Sequence, residues 1–371
     1  VTETTLQSLY TIGNSVDTFA PGHYARVFDA VMADGEPCAF KVLRAEHLTR
    51  DGQPKWEALA FPHEADLLNR MALAPAVMRF YDCGYISSED ERPRGGDAIS
   101  FGKDAESFKR AALVYAEKRW RPYLALEPLP RANNLLYLMK PNAPGTRWRL
   151  PTDEGIDLAI QFAEVLRAAH KQRIIYLDHK LEHVYWNGES LRVIDWNSSK
   201  IGEASEQVFA SQVQTDLHNL CVGILYPVFT GLSPQKGSLM PQPAPQEEVE
   251  ARYTDVNHLD FGVEPTLGSN LQSLLEQGAR RQLVNADSFL AALERVSVDY
   301  GWQAAPPELR EARKQMRAGL KKLRQGQEAI REAREIFREA AILDEINEEV
   351  EGELRRLLSK INEMWNNRVI P

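Results

Sequence analysis

YLDHKLEHVYWNGESLRVIDWNSS, from Tyr176 to Ser199, is the stretch whose reading decides the fold. It holds two aspartates, Asp178 and Asp195, each beside a short β-prone run, with His179, Lys180 and His183 between them. The segment NGES reads as a hairpin turn separating two short strands. Aspartate is common at strand ends simply because it closes turns. The separation of these two, and the strands that flank them, point instead to a pair of carboxylates with chemistry to do.

The composition bounds what that chemistry serves. At 371 residues, 43% hydrophobic and 26% charged, the chain is an ordinary globular protein with enough apolar material for a full core. Its length suggests two domains. A net charge of -9 argues against a nucleic-acid binder, which needs a basic face. Three scattered cysteines with no CxxC pair argue against a disulfide framework or a zinc site. With no basic-then-apolar leader, the expected compartment is a reducing cytoplasm. The longest apolar run, 220–229, is far shorter than the ~20 residues a bilayer needs, so no membrane span is expected.

Upstream, YARVFDAVM (24–32) and CAFKVLR (38–44) read as two strands joined by a turn containing Asp-Gly. HEADLLNRMA (63–72) reads as a helix and AVMRFYDCGYI (76–86) as a strand. Residues 87–102 read as a polar loop insertion, 104–120 as a helix, and RPYLALEPLP (121–130) as a strand ending in a proline-punctuated turn. Residues 153–173 form a long amphipathic helix, with acids first and bases last as the helix dipole favours. Downstream of the opening stretch, TDLHNLCVGILYPVFTG (215–231) is a nearly all-apolar core helix. A proline-rich loop and two more helices follow. Strands with one helix, then helices with one hairpin, suggest an α+β chain of two lobes with a cleft between them.

In this order the residues resemble the protein-kinase fold from about Phe19 to Tyr300. CAFK looks like the VAIK strand, making Lys41 the phosphate-binding lysine; Glu64 on the next helix is its implied ion-pair partner, with Glu57 the weaker alternative. YLDHKLEH stands where HRDLKPEN is expected, so Asp178 matches the catalytic aspartate and Lys180 the catalytic-loop lysine. DWN stands for DFG, which implies Asp195 as a metal ligand. Asp216 matches the residue that braces the catalytic loop. LEPLP looks like the hinge, with Leu126 as gatekeeper and Glu127 and Leu129 facing adenine. The phosphate loop, 20–27, reads APGHYARV where GxGxxGxV is expected; Gly22 survives, and Val27 closes the motif.

The departures are informative. His183 replaces the asparagine that binds a second metal, as in the sugar kinases of the lipopolysaccharide core. Trp196 and Asn197 replace Phe and Gly, and asparagine tolerates left-handed backbone better than most residues. Leu177 replaces the arginine that grips a phosphorylated activation loop. Only about 20 residues separate Asp195 from Asp216, with ASE (204–206) a faint echo of APE. The resemblance implies ATP with Mg2+ or Mn2+, and phosphoryl transfer to a hydroxyl, first of all Ser/Thr of a protein. The alternatives are a pseudokinase scaffold and a small-molecule or sugar kinase. The expected parts are an N-lobe with hinge (1–130), a C-lobe (131–302) and a coiled-coil segment (308–367).

That last segment has apolar or small residues in 3-4 spacing at Leu309, Ala312, Met316, Gly319, Leu323, Gly326, Ile330, Ala333, Phe337 and Ala340. The phase slips there and resumes through Leu343, Ile346, Val350, Leu357, Ile361 and Met364. This is the pattern of a coiled-coil seam, expected to pair with a partner helix from a second copy or another protein.

Overall fold

The computed structural model describes residues 3–16, 24–50, 53–140, 147–235, 237–242, 246–300, 329–334, 336–337 and 348–366, with the single positions 319, 322 and 326. The chain is mixed α+β and divides into two compact units. One is Val1–Pro141 with Gly145–Trp302; the other is Asn142–Pro144 with Gln303–Pro371.

The first unit begins with an antiparallel sheet. Its strands are β1 (Thr4–Thr5), β2 (Tyr10–Ser15), β3 (Ala25–Met32), β4 (Pro37–Leu43), β5 (Phe80–Ile86), β6 (Asp97–Gly102) and β7 (Arg121–Leu126). They lie side by side as β1-β6-β5-β7-β4-β3-β2. Period-two alternation sorts β4 onto two faces. Cys38, Phe40 and Val42 enter a small core with Tyr10, Phe28 and Tyr123, where the Phe40 and Tyr123 rings stack at 4.8 Å. Lys41 and Leu43 point the other way, toward helix α1 (Trp56–Arg70), and Leu43 joins the main core with Phe61, Ala65 and Leu68. A one-residue slip in β4 would exchange the two sets and take Lys41 out of its site.

After the sheet the chain is mostly helical. α2 (Ala105–Glu117) packs on α1. α3 (Thr152–Lys171) carries Asp153 and Glu154 in its first turn. A helical run then goes from α4 (Glu206–Asn219) through a wide π turn, Leu220–Leu225, into α5 (Tyr226–Thr230). The π turn precedes Pro227, which has no amide hydrogen for the normal ladder. Gly155 of α3 meets the Phe229 ring so closely that a Cβ would sit 2.5 Å from it. α6 (Ser269–Ala279) and α7 (Ala286–Asp299) complete the unit. Cys38, Cys83 and Cys221 are buried free thiols. Among the described residues, no helix is long and apolar enough to cross a membrane.

Four readings change. Residues 87–102 are not all loop: Asp97–Gly102 is a sheet strand, with Ala98 and Ile99 buried. The polar segment before it is held by the buried Arg121, whose guanidinium donates to the carbonyls of Ser88 (2.6 Å), Asp90 (2.7 Å) and Leu43 (3.1 Å). The helix read from His63 starts at Trp56 and runs through Pro62, because Ala58, Ala60 and Phe61 already bury a face. The strand read from Ala76 begins at Phe80, although Val77 makes a parallel bridge to Val193. The core helix read from Thr215 starts at Glu206. Ser205 caps it by accepting from the Val208 amide, so Glu206 of ASE is its first residue.

In the second unit, α8 (Glu348–Asn366) is helical, as are Gly319, Gly326, Ile330, Ala333 and Phe337. Ile361 is buried, while Ile336 is exposed. Among the described residues no atom lies within 4 Å of a Cβ built on Gly319 or Gly326. The seam positions Leu309, Ala312, Met316, Leu323, Ala340, Leu343 and Ile346 lie outside the described residues.

Candidate active site

The opening stretch folds as its turn chemistry suggests. β8 (Ile174–Ile175) leads into the loop 176–180, a 3-10 turn at Leu181–His183, then β9 (Val184–Trp186) and β10 (Leu191–Val193). β9 and β10 pair antiparallel across Asn187–Ser190. The Asn187 side chain closes that turn by accepting from the amides of Glu189 (2.9 Å) and Ser190 (2.8 Å). The hairpin returns the chain on itself, so the Ile194 amide donates to the His183 carbonyl at 3.0 Å. Asp195 thereby comes next to His183 and Asp178. β11 (Lys200–Ile201) closes the loop by pairing with β8.

Lys41 sits at the junction of sheet and hairpin. Its Nζ donates to Glu64 Oε2 and to Asp195 Oδ1, each at 2.7 Å, and the residue is 8% exposed. Glu64 also accepts from the Trp196 amide at 3.3 Å, which ties α1 to the turn after Asp195. Glu57, the other acid considered for this role, faces His47 instead at 2.9 Å. Burial would push the Lys41 ammonium down, but Asp195 and Glu64 outweigh it and hold the group above its ordinary value. Two carboxylates share this cation. Burial pushes Asp195 up, yet Lys41 and His183 pull it well below the usual range. Glu64, almost wholly buried, is the one whose carboxyl rises, with burial only partly offset by Lys41.

Asp195 adopts a left-handed backbone, φ 60°. That conformation is uncommon outside glycine, though aspartate is several-fold enriched there. The left-handed residue of this turn is thus Asp195 and not Asn197. Asn197 contributes its side chain instead: Nδ2 donates to Asp195 Oδ1 and to the Tyr24 hydroxyl oxygen. His183 faces both aspartates. Its Nε2 lies 3.1 Å from Asp195 Oδ2, and its Nδ1 lies 3.4 Å from Asp178 Oδ2 and 3.2 Å from the Asp178 carbonyl. One ligand atom from each of Asp178, His183 and Asp195 falls within 4.8 Å of the others, a set that could hold a metal ion. Two carboxylates and an imidazole suit Mn2+ well; Mg2+ also takes carboxylates but prefers oxygen throughout. Asp195 keeps 26% of its side-chain surface exposed, leaving an open side for such an ion.

Asp178 is 4% exposed. Burial pushes its carboxyl up, but His183, Lys180 and Arg252 together hold it below the ordinary value. Lys180 Nζ lies 3.4 Å from Oδ2. Arg252 Nη2 lies 2.8 Å from Oδ1, yet out of line, so neither group gains a hydrogen bond from the contact. The loop that bears Asp178 is braced from below by Asp216. That carboxylate accepts from the amides of Tyr176 (3.0 Å) and Leu177 (2.8 Å) and faces His170 Nε2 at 2.9 Å and His179 Nδ1 at 3.7 Å. Leu177 is left-handed, φ 66°, which accounts for the need of a brace there.

The remaining site residues are more dispersed. Val27 lies on β3 opposite Lys41 on β4. Leu126 ends β7 and is buried. Glu127 follows it, its amide donating to the Arg79 carbonyl at 2.9 Å and its carboxylate accepting from Arg192 Nε at 3.1 Å. Leu129 packs against the main core. Gly22 lies outside the described residues. The structure therefore brings Lys41, Glu64, Asp178, Lys180, His183 and Asp195 together. Sequence reasoning missed Tyr24 and Arg252. In sequence Tyr24 is one residue of the strand 24–32 and of the phosphate loop 20–27, with no site role of its own. Arg252 lies in ARYTD (251–255), a segment with no periodicity and no motif to recommend it.

No model of a known protein family matches the chain, and no curated protein matches it.

Proposed function

We propose that the chain is an ATP- and divalent-metal-dependent phosphotransferase of two-lobed, protein-kinase-like architecture, acting on a hydroxyl and first of all on Ser/Thr of a protein. One observation carries this reading: the Lys41 ammonium bonds Glu64 and Asp195 at once, with Asp178 and His183 beside Asp195. Phosphoryl transfer asks for these parts, a cation for the phosphates, an acid to hold it, and carboxylates for nucleophile and metal.

The roles follow from the surroundings. Lys41, fixed by Glu64, neutralises α/β-phosphate oxygens. Asp195 and His183 would hold the metal, which when bound neutralises charge on the phosphates. Asp178 orients the acceptor hydroxyl and takes its proton. The acceptor oxygen forms the new bond to the γ-phosphorus, the bridging bond to the β-phosphate breaks, and ADP carries the electron pair away. Asp216 keeps the Asp178 loop in shape.

A smaller acceptor is favoured by a separate observation. Only 196–205 lie between Asp195 and α4, leaving little chain to form a platform for a peptide. Gln242 and Tyr253 also lie against the catalytic loop. The Gln242 amide donates to Glu182, and the Tyr253 hydroxyl donates to the His179 carbonyl at 2.8 Å.

A thermal-shift titration with ATP, with and without Mn2+ or Mg2+, tests the reading. Nucleotide at a hundred times its Kd should add about 2.7 kcal/mol. An unchanged melting temperature at millimolar nucleotide with either metal sinks it and leaves a scaffold.

A further inference from the structure

We infer that Arg252 forms an anion-recognising subsite beside Asp178, so that the acceptor hydroxyl belongs to a molecule carrying a phosphate or carboxylate close to the reacting oxygen. The inference rests on the phosphotransfer role proposed for Asp178.

The Arg252 side chain is 8% exposed, yet among the described residues Nε, Nη1 and Nη2 find no hydrogen-bond partner. A guanidinium offers five N–H donors in a planar fork, and leaving them unmet in a buried place is costly. Asp178 stands 2.8 Å away and supplies charge without direction; its own Oδ1 is equally bare. The Tyr253 oxygen is near enough to feel the guanidinium, and its hydrogen goes to the His179 carbonyl at 2.8 Å or to Gln242 Oε1 at 3.1 Å, but it too is not in line to accept a hydrogen bond from Arg252. A carboxylate or phosphate matches the fork in two parallel bonds, which Asp178 in its present orientation does not. Lys180, 3.4 Å from the other oxygen of Asp178, adds a second cation on the same side.

A mobile plug over Asp178 would use the same two residues, but the anchoring of Arg252 argues against it. Its carbonyl accepts from Gln235 Nε2 at 2.7 Å. The next residue, Tyr253, is buried, with its ring so close to Gly223 that a Cβ there would lie 2.6 Å from it. The Tyr253 carbonyl faces His218 Nε2 at 2.9 Å, and tight turns follow through Thr254 and Val256. The arginine is built in from the core helix outward. In the loaded site the acceptor's anion takes the Arg252 fork. Asp178 Oδ1 is then free to receive the hydroxyl proton as the oxygen–phosphorus bond forms and the bond to ADP breaks. A neutral alcohol leaves Arg252 on Asp178 and is a poor acceptor.

The test uses the full chain, with paired acceptors differing only in the anion. One pair is glycerol and glycerol 3-phosphate. The other is a serine peptide with and without a neighbouring phosphoserine. Transfer from ATP with Mn2+ is measured for wild type, Arg252→Gln and Arg252→Lys. In the pair that is turned over, the anionic member should exceed the neutral one at least tenfold in kcat/KM. Arg252→Gln should erase that preference, and Arg252→Lys should restore part of it. Equal use of both members, or faster transfer in Arg252→Gln, overturns the inference; the second result would identify Arg252 as a plug. If no acceptor is turned over, the functional reading fails, and binding decides this one. Inorganic phosphate is then titrated calorimetrically with a non-hydrolysable ATP analogue and Mn2+ present. Binding at least tenfold weaker in Arg252→Gln, with Arg252→Lys between, supports the subsite. No phosphate binding, or equal binding in all three proteins, overturns it.

Discussion

Asp195 and Asp178 face one imidazole from its two nitrogens and differ in nearly everything else. Asp195 is tied by direction: Lys41 at 2.7 Å, His183 at 3.1 Å and the Asn197 amide all point at its oxygens. Asp178 is balanced by charge alone, among Lys180, His183 and a misaligned Arg252. A carboxylate held by aligned bonds stays in place through a reaction. One neutralised without alignment can change partners at little cost, because charge–charge attraction falls off slowly with small movements and hydrogen bonds do not. The first suits a group that positions a metal and a lysine, the second a group that exchanges a proton.

The largest expected effect separates the two directly. Asp178→Asn should lower phosphoryl transfer by about 10²- to 10⁴-fold, the span of a lost general base, and leave metal-dependent nucleotide binding nearly intact. Asp195→Asn should weaken that binding as well. Parallel transfer assays and nucleotide titrations check this; the same profile from both variants would break the comparison.

Asp216 extends the comparison to a carboxylate that is all direction and no exchange. Asp216→Ala leaves the Tyr176 and Leu177 amides unmet in the core and should cost about 3 kcal/mol in urea unfolding. Burial pushes its carboxyl up, but the His170 hydrogen bond, the His179 charge and the Leu177 amide hold it below the ordinary value of 3.8. A depressed folded value means the contribution is complete above 3.8 and is lost as pH falls through the folded value. The stability gap between wild type and Asp216→Asn should therefore close only at acid pH. A gap that is constant through that range would mean Asp216 is not ionised.

Away from the Lys41–Asp195–Asp178 cluster the effects shrink. Tyr123 donates to the buried Asp82 at 2.9 Å, so Tyr123→Phe should cost about 1–2 kcal/mol in the same unfolding measurement. Arg192 and Glu127 form a partly exposed pair at 3.1 Å, and Arg192→Ala should cost less than about 1 kcal/mol. A larger loss there would mean that Glu127, which follows strand β7, depends on this pair for its place.

Several parts were legible because they rest on local chemistry. The Asn187 turn, the acid-first helix α3 and the alternation of β4 are written in short windows, and each folds as its window suggests. Element edges were less legible. Pro62 reads as a boundary, but helix α1 passes through it, since the residues before it already face the core. Asp97–Gly102 hides in polar sequence because one partner, β1, is distant in the chain and the other, β5, is separated from it by the polar residues 87–96.

The sequence by itself determined which chemical groups this protein has to offer and on which elements they ride. Lys41 is on a strand and Glu64 on a helix, while Asp178 and Asp195 stand at the two ends of a hairpin, because period, turn residues and strand propensity act within a few residues. Only the tertiary structure decided which groups meet. That Glu64 and not Glu57 takes Lys41, that Asp195 and not Asn197 turns left-handed, and that Arg252 stands against Asp178 all depend on burial and charge balance across the whole unit. The physical reason is range. Backbone preference and turn closure are settled between neighbours in sequence, whereas a buried charge takes its partner from whatever the packed core leaves within reach.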